Sequence, residues 1–227
     1  KENLEGELEI HINVNSLKID FSKVKQEISS FTEIFNLLSY ALDQKDMDLF
    51  KFYIYTFRVY LTKVDINVNI DDYFNNTENF LNLIELFEFY YKQNEVSITY
   101  EIMWIFTNVF NNIQNTKLQS LLFTQKLVKI IAEILYSTKF EKSSEYFIYL
   151  CFMITGNAVQ FSPSNRELIF ESNIAIFIRQ FFTEKYQNYS LNILKIICWV
   201  CSLFFSSSRE LDYETVRFFF IFRHLLL

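Results

Sequence analysis

The stretch TENFLNLIELFEF, residues 77–89, begins with a hydroxyl residue and continues with apolar residues three or four positions apart. This spacing predicts an amphipathic helix, and threonine suits its start because the hydroxyl accepts a hydrogen bond from the free N–H groups of the first turn. The pattern recurs in SFTEIFNLLSYAL, TQKLVKIIAEILY and SNIAIFIRQFFTE, which start at Ser30, Thr124 and Ser172. Consecutive starts lie 47, 47 and 48 residues apart, so the chain is built from repeats.

The four repeated helices share a set of apolar positions. Four, seven and ten residues after each start, eleven of the twelve residues are apolar or aromatic, which predicts a common helix face that packs in the core. The twelve positions are Ile34, Leu81, Val128 and Ile176; Leu37, Ile84, Ile131 and Arg179; and Tyr40, Phe87, Ile134 and Phe182.

Each repeated helix is followed by a polar break and a longer, more apolar helix, and the later units also begin with a short one. The long helices are predicted over residues 47–61, 96–111, 145–161 and 189–205, and the short ones over 70–74, 117–123 and 163–171. Ser162 and Pro163 form a helix start, since proline at the first helical position loses no hydrogen bond.

Three helices in a period of about 47 residues predict an all-α protein with an armadillo-type right-handed α-solenoid. Such a unit cannot bury its apolar face alone, so the stack of units supplies the core. We expect about four units in a single domain over residues 21–227, after an N-terminal extension over residues 1–20.

Composition removes several classes of function. Only two glycines and one proline occur in 227 residues, which favours helices and excludes a glycine-rich phosphate loop. A net charge of −6 without an evident basic face argues against nucleic-acid binding. The early residues are too polar for a signal sequence and the most apolar stretch is too short to cross a bilayer, so no membrane association is expected.

The cysteines and histidines indicate neither redox nor metal chemistry. Three cysteines do not form a disulfide framework, which favours a reducing compartment such as the cytoplasm and nucleus. Cys198 and Cys201 match a Cys-x-x-Cys motif, but they lie inside an apolar helix, where core packing is the simpler role. His11 and His224 lie near opposite ends of the chain and complete no ligand set. We therefore expect no metal, no cofactor and no enzymatic activity.

Three stretches resemble the importin-α family of armadillo proteins. They are YEIMWIFTNVFNN from Tyr100, FRVYLTKVDINVNIDDYF from Phe57 and ITGNAVQFSPSNRELIFESN from Ile154. The first is similar to the family's Trp-x-x-Thr-Asn helix. The resemblance implies a nuclear import adaptor whose concave groove binds a basic nuclear localisation peptide in extended form.

In that resemblance, asparagine side chains hydrogen-bond the peptide backbone and tryptophan rings hold the stems of lysine and arginine. The implied peptide-binding residues are Trp104, Asn108, Asn157, Trp199 and Thr116. The partner would be a protein that carries a basic extended segment.

The chain departs from the family at three positions of the implied groove. Met153 stands where the family has tryptophan, Leu203 where it has asparagine, and Phe161 where an aspartate neutralises the signal's key lysine. The basic arm that engages the import carrier has no counterpart. A second hypothesis is therefore a structural armadillo scaffold within a larger assembly, with a decayed peptide groove.

Overall fold

The computed structural model describes residues 31–63, 74, 77–137, 145–185 and 189–205. Within these residues the protein is all-α, because helices cover 88% of them and they contain no strand. The predicted extension over residues 1–20, the N-cap Ser30 and the short helix over residues 70–74, apart from the helical Phe74, lie outside the described residues. So do His11 and His224.

Ten α-helices follow one another along the described chain. They are α1 (Phe31–Asp43), α2 (Met47–Lys63), α3 (Thr77–Lys92), α4 (Val96–Asn112), α5 (Thr116–Leu122), α6 (Gln125–Ser137), α7 (Glu145–Val159), α8 (Pro163–Phe170), α9 (Asn173–Gln180) and α10 (Leu191–Phe205). A π-helical turn, Phe181–Lys185, follows α9. The predicted long and short helices are confirmed to within about two residues wherever the chain is described.

Side-chain caps set several helix starts as the sequence predicts. The hydroxyl of Thr124 accepts from the backbone N–H of Leu127 ahead of α6 (3.2 Å), and that of Ser172 accepts from Ile174 ahead of α9 (3.2 Å). Ser162 caps α8, whose first residue is proline. Thr77 is the first residue of α3 rather than a residue ahead of it.

Two turns share one geometry although neither contains glycine. Lys45, between α1 and α2, has φ 55°, and Asn94, between α3 and α4, has φ 60°. In the first turn the N–H of Asp46 donates to the carbonyl of Ala41, and in the second the N–H of Glu95 donates to the carbonyl of Tyr90. Each bond reaches five residues back along the chain. These bonds are the Schellman pattern that ends helices at a left-handed residue.

The chain divides into two compact units, and the boundary lies between Tyr53 and Ile54 within α2. In the first unit, Ile34, Leu38 and Ala41 are buried along one side of α1, and the side chain of Asp46 accepts from the N–H of Leu49 at the start of α2 (2.9 Å).

In the second unit the helices pack in two series. The long helices α4, α7 and α10 pack against one another in that order, and so do α3, α6 and α9. The pairs α3–α4 and α6–α7 join the two series. Each of these six helices therefore packs against the helix three positions away along the chain.

Phenylalanine dominates the core between α3 and α4. The ring of Phe80 lies 5.3 Å from that of Phe106 and 5.7 Å from that of Phe110, measured between centroids. Phe110 in turn meets Phe123, which follows α5. Each fully buried phenylalanine of this kind contributes roughly 1.5–3 kcal/mol to folding, so the cluster is a large share of the local stability.

The predicted common face is wrong in three places. Leu81 is 43% exposed, Ile176 is 49% exposed and Tyr40 is also exposed. On α9 the buried residues are Ile174, Ala175, Phe177 and Ile178, so the buried face is rotated relative to the prediction. The physical reason is that α9 carries apolar residues on more than one side, and its packing against α6 selects which side is buried.

Candidate functional site

The predicted Trp104–Asn108 pair lies one turn apart on α4, and both side chains are partly exposed. Tyr100 precedes Trp104 by another turn, and the two rings meet edge to face with centroids 6.5 Å apart. Residues four apart share one helix face, so the three side chains form a continuous stripe.

Asn108 has an unsatisfied side-chain donor. Its amide nitrogen Nδ2 is covered by protein, but no acceptor for it exists among the residues that the structure describes. Its backbone carbonyl is occupied, because Nδ2 of Asn112 donates to it at 2.8 Å. A covered donor without an acceptor is unfavourable by about 1–3 kcal/mol, and such groups call for a physical explanation.

An ion pair lies one turn before the Trp104–Asn108 pair. Nε of Arg58 on α2 donates to Oε2 of Glu101 on α4 at 2.5 Å, and the guanidinium carbon lies 5.0 Å from the ring centroid of Tyr55. Burial raises the pKa of the Glu101 carboxyl above its ordinary value, and the charge and hydrogen bond of Arg58 only partly oppose this. This carboxylate already has a cationic partner.

Asn157 lies on α7 at the position that corresponds to Asn108, but its environment differs. Its side-chain Nδ2 donates to the backbone carbonyl of Thr107 on α4 at 3.1 Å, and the residue is only 5% exposed. The amide therefore joins two neighbouring helices. Met153, one turn earlier, is partly exposed.

The ring of Trp199 on α10 packs against α7. The ring lies so close to Gly156 that a Cβ on that residue would stand 2.1 Å from Cζ3 of the indole. Only glycine leaves room for this approach. Trp199 is still partly exposed, as is Leu203 one turn later.

The two remaining predicted positions are exposed. Thr116 is the first residue of α5, beyond the end of α4, and its backbone carbonyl accepts from the hydroxyl of Ser120. Phe161 is 55% exposed and lies past the end of α7, which stops at Val159.

Buried amides that sequence analysis missed satisfy the carbonyl ends of α4 and α7. Nε2 of Gln119 donates to the carbonyls of Phe110 (3.3 Å) and Asn157 (3.0 Å), which belong to different helices. Nδ2 of Asn165 donates to the carbonyl of Ala158 at 2.8 Å. The last carbonyls of a helix need such partners when the end is buried.

A signal for these amides exists in the sequence. Gln119 and Asn165 occupy short helices of consecutive repeats and lie 46 residues apart, close to the repeat period. Nδ2 of Asn165 also approaches the backbone carbonyl of Gln119 at 3.5 Å. An amide residue that recurs at this spacing in two short helices predicts a cap that links the units.

The cysteines of the Cys-x-x-Cys motif lie in the middle of α10. Burial raises the pKa of both the Cys198 and the Cys201 thiols, which disfavours the reactive thiolate. No cluster of potential metal ligands occurs among the described residues. None of the described helices is long and apolar enough to span a membrane.

No protein-family model, no curated protein and no solved structure matches the chain.

Proposed function

We propose that this chain is a non-enzymatic protein-binding module of the armadillo type, and that the exposed stripe on α4 binds an extended segment of a partner protein. The observation that carries the proposal is the partly exposed stripe of Tyr100, Trp104 and Asn108, in which the amide nitrogen of Asn108 has no hydrogen-bond partner among the described residues. The ring offers a flat contact for a side chain of the peptide, and the Asn108 side chain, whose amide nitrogen is covered in this structure, would turn outward to donate to a peptide carbonyl.

The armadillo assignment is supported by the packing order of the second unit. Helices three elements apart meet in two parallel series, which is the arrangement expected when three-helix units stack. The amides of Gln119 and Asn165 connect consecutive units. Right-handed stacking and nuclear import follow from the resemblance to importin-α, and an import role would place the protein in the cytoplasm and nucleus.

Peptide binding can be tested before any partner is identified. Random dodecapeptides displayed on phage are selected on the full chain, and the enriched peptides are titrated by fluorescence anisotropy. We expect dissociation constants in the micromolar range or tighter. Asn108→Ala should weaken binding by tenfold or more, which corresponds to about 1.4 kcal/mol.

Asn111→Ala is the matched control, because Asn111 is an exposed asparagine on the same helix. It should leave binding unchanged. Selected peptides whose dissociation constants are unchanged by Asn108→Ala would contradict the proposal. A labelled basic nuclear-signal peptide is titrated alongside: micromolar binding supports import, and no binding removes the import role.

The second candidate function is a structural scaffold, and a specific observation favours it. Asn157 and Trp199, two of the implied peptide-binding residues, are engaged in contacts between helices. A scaffold needs those contacts and does not need the α4 stripe. The phage selection separates the two functions, because a scaffold yields no peptide that depends on Asn108.

A further inference from the structure

A groove of about 510 Å³ lies between α6 and the junction of α8 with α9. We call it the α6–α9 groove, and its main lining residues are Val128, Ala132 and Tyr136 on one side and Leu168, Glu171 and Ser172 on the other. Val128 and Ala132 are almost fully buried and form the floor, whereas Tyr136 and Glu171 are exposed. The hydroxyl of Tyr136 donates to the backbone carbonyl of Asn173 at 3.3 Å, which ties the two sides together.

The preceding boundary in the same series of helices, between α3 and α6, is crossed by a lysine side chain. Nζ of Lys126 on α6 lies 2.5 Å from Oε1 of Glu85 and 2.7 Å from Oε2 of Glu88, and both carboxylates belong to α3. The ammonium group therefore lies between two carboxylates of the neighbouring helix. The α6–α9 groove occupies the corresponding boundary one repeat later.

The sequence explains why no such side chain crosses the α6–α9 groove. Lys126 and Glu85 lie two and eight residues after the starts of their repeated helices, and the same positions one repeat later hold Ile174 and Ala132. Both replacements are buried apolar residues. No ion pair joins α6 to α8 or α9 within the described part of the chain. The groove therefore lacks the cationic side chain that the preceding boundary has.

The charges that line the groove favour a cation. Lys129 and Glu133, both on α6, form an ion pair at 4.0 Å and offset each other. The carboxylate of Glu171 has no ion pair among the described residues, so the lining is negative on balance. A cation placed there gains a partner for Glu171, whereas an anion would be repelled.

The uncharged lining suits the rest of a lysine side chain. The stem of a lysine is apolar and can cover the floor at Val128 and Ala132 while its ammonium group stays near water. The ring of Tyr136 is 40% exposed, and an aromatic face attracts a cation. A purely apolar side chain would cover the same floor but would leave Glu171 without a partner.

We propose that the α6–α9 groove binds a lysine side chain of a partner protein, whose ammonium group pairs with Glu171 and whose stem covers Val128 and Ala132. The incoming lysine takes the part that Lys126 has at the preceding boundary. This surface is separate from the α4 stripe, and the inference does not depend on the proposed function.

The test uses two capped pentapeptides of alanine that differ only at the central residue. One has lysine there, and the other has norleucine, which keeps the stem and lacks the charge. Binding to the isotope-labelled full chain is followed by NMR through the backbone amide signals of Ala132 and Ser172, on opposite sides of the groove. We expect saturable shifts at millimolar lysine peptide and binding of the norleucine peptide that is weaker by about threefold or more. Raising NaCl from about 0.05 M to about 0.5 M should weaken the lysine peptide, because salt screens the ion pair.

Three variants locate the binding. Glu171→Gln should weaken the lysine peptide by about threefold and remove its advantage over the norleucine peptide. Lys129→Gln removes the competing cation and should tighten binding by about twofold, a gain that misfolding cannot produce. Asp43→Asn is the control, because it removes the charge of an exposed carboxylate on α1 and should leave binding unchanged. Circular dichroism melting checks that each variant folds.

Four results would overturn the inference. Equal affinity for the two peptides would mean that the groove does not recognise the charge. Unchanged binding by Glu171→Gln, or equal weakening by Asp43→Asn, would mean that the net charge of the protein attracts the peptide. Shifts confined to α4 around Trp104 and Asn108 would overturn the inference and support the proposed function. Shifts nowhere would overturn the inference alone, since the phage selection tests the proposed function separately.

Discussion

The indole ring of Trp199 lies against the bare Cα of Gly156, and a Cβ at position 156 would stand 2.1 Å from Cζ3 of that ring. This contact joins α10 to α7, and it explains why glycine occupies the last turn of α7 in a chain that contains only two glycines. Glycine in a helix is less favourable than alanine by roughly 1 kcal/mol, and the contact with Trp199 offsets this cost.

Gly156→Ala should destabilise the protein by about 1–3 kcal/mol, because the ring must move out of van der Waals overlap. Urea denaturation followed by circular dichroism measures the change. In a Trp199→Ala background the same substitution should become neutral or stabilising, since the helix then gains alanine without a clash. An equal loss in the free energy of unfolding on Gly156→Ala in both backgrounds would refute the contact.

Asn157 and Asn108 should respond differently to alanine. Asn157→Ala removes the hydrogen bond to the carbonyl of Thr107 from the buried boundary between α4 and α7, and we expect a loss of about 1–2 kcal/mol. Asn108→Ala removes a donor that has no acceptor, so stability should fall by less than about 0.5 kcal/mol or rise. Thermal and urea denaturation of both variants provide the comparison. Equal losses would contradict the assignment of one amide to structure and the other to binding.

Arg58→Ala should make the free energy of unfolding depend more steeply on pH through Glu101. Burial already raises the pKa of this carboxyl, and loss of the cation raises it further. A carboxyl with a raised pKa in the folded state binds its proton more tightly there than in the unfolded state. The free energy of unfolding therefore falls as pH rises from the pKa of the unfolded state toward and past the pKa of the folded state. At neutral pH the cost should reach about 3 kcal/mol at most, because Arg58 is partly exposed.

Denaturation midpoints measured from about pH 4 to pH 8, the range over which a carboxyl with a raised pKa titrates, test this prediction. The double variant Arg58→Ala, Glu101→Gln is the control, because it has no buried charge and should be more stable than Arg58→Ala at neutral pH. A pH-independent loss in Arg58→Ala would show that packing, rather than the unpaired carboxylate, causes the effect.

Lys45→Gly should stabilise the first unit by about 0.5–1 kcal/mol. Lys45 has φ 55°, where a side chain crowds the backbone and glycine does not. Asn94→Gly is the matched comparison in the equivalent turn, and it should gain less because asparagine tolerates this conformation. Hydrogen exchange of the amides in α1 and α2 measures the local change. A destabilised Lys45→Gly variant would mean that the left-handed turn is not formed.

The helices themselves could be predicted because their signals are local. The N-caps Thr124 and Ser172, the start at Ser162-Pro163 and the 3.6-residue spacing of apolar residues depend only on neighbours within one or two turns. The left-handed Lys45 could not be predicted, because nothing in its residue type marks it.

The sequence by itself determined an all-α chain with a repeat near 47 residues, and it singled out Trp104 and Asn108 as a pair on one helix face. Only the tertiary structure decided which side chains of that pattern form contacts with neighbouring helices and which do not. Asn157 and Trp199 match the same motif, yet one bonds to Thr107 and the other covers Gly156, whereas the amide nitrogen of Asn108 has no partner in the described chain. The reason is physical, because burial and hydrogen-bond partners come from helices about 40–50 residues away in sequence. The period of the sequence pattern predicts which helices pack together, but it does not predict which side chains that packing buries.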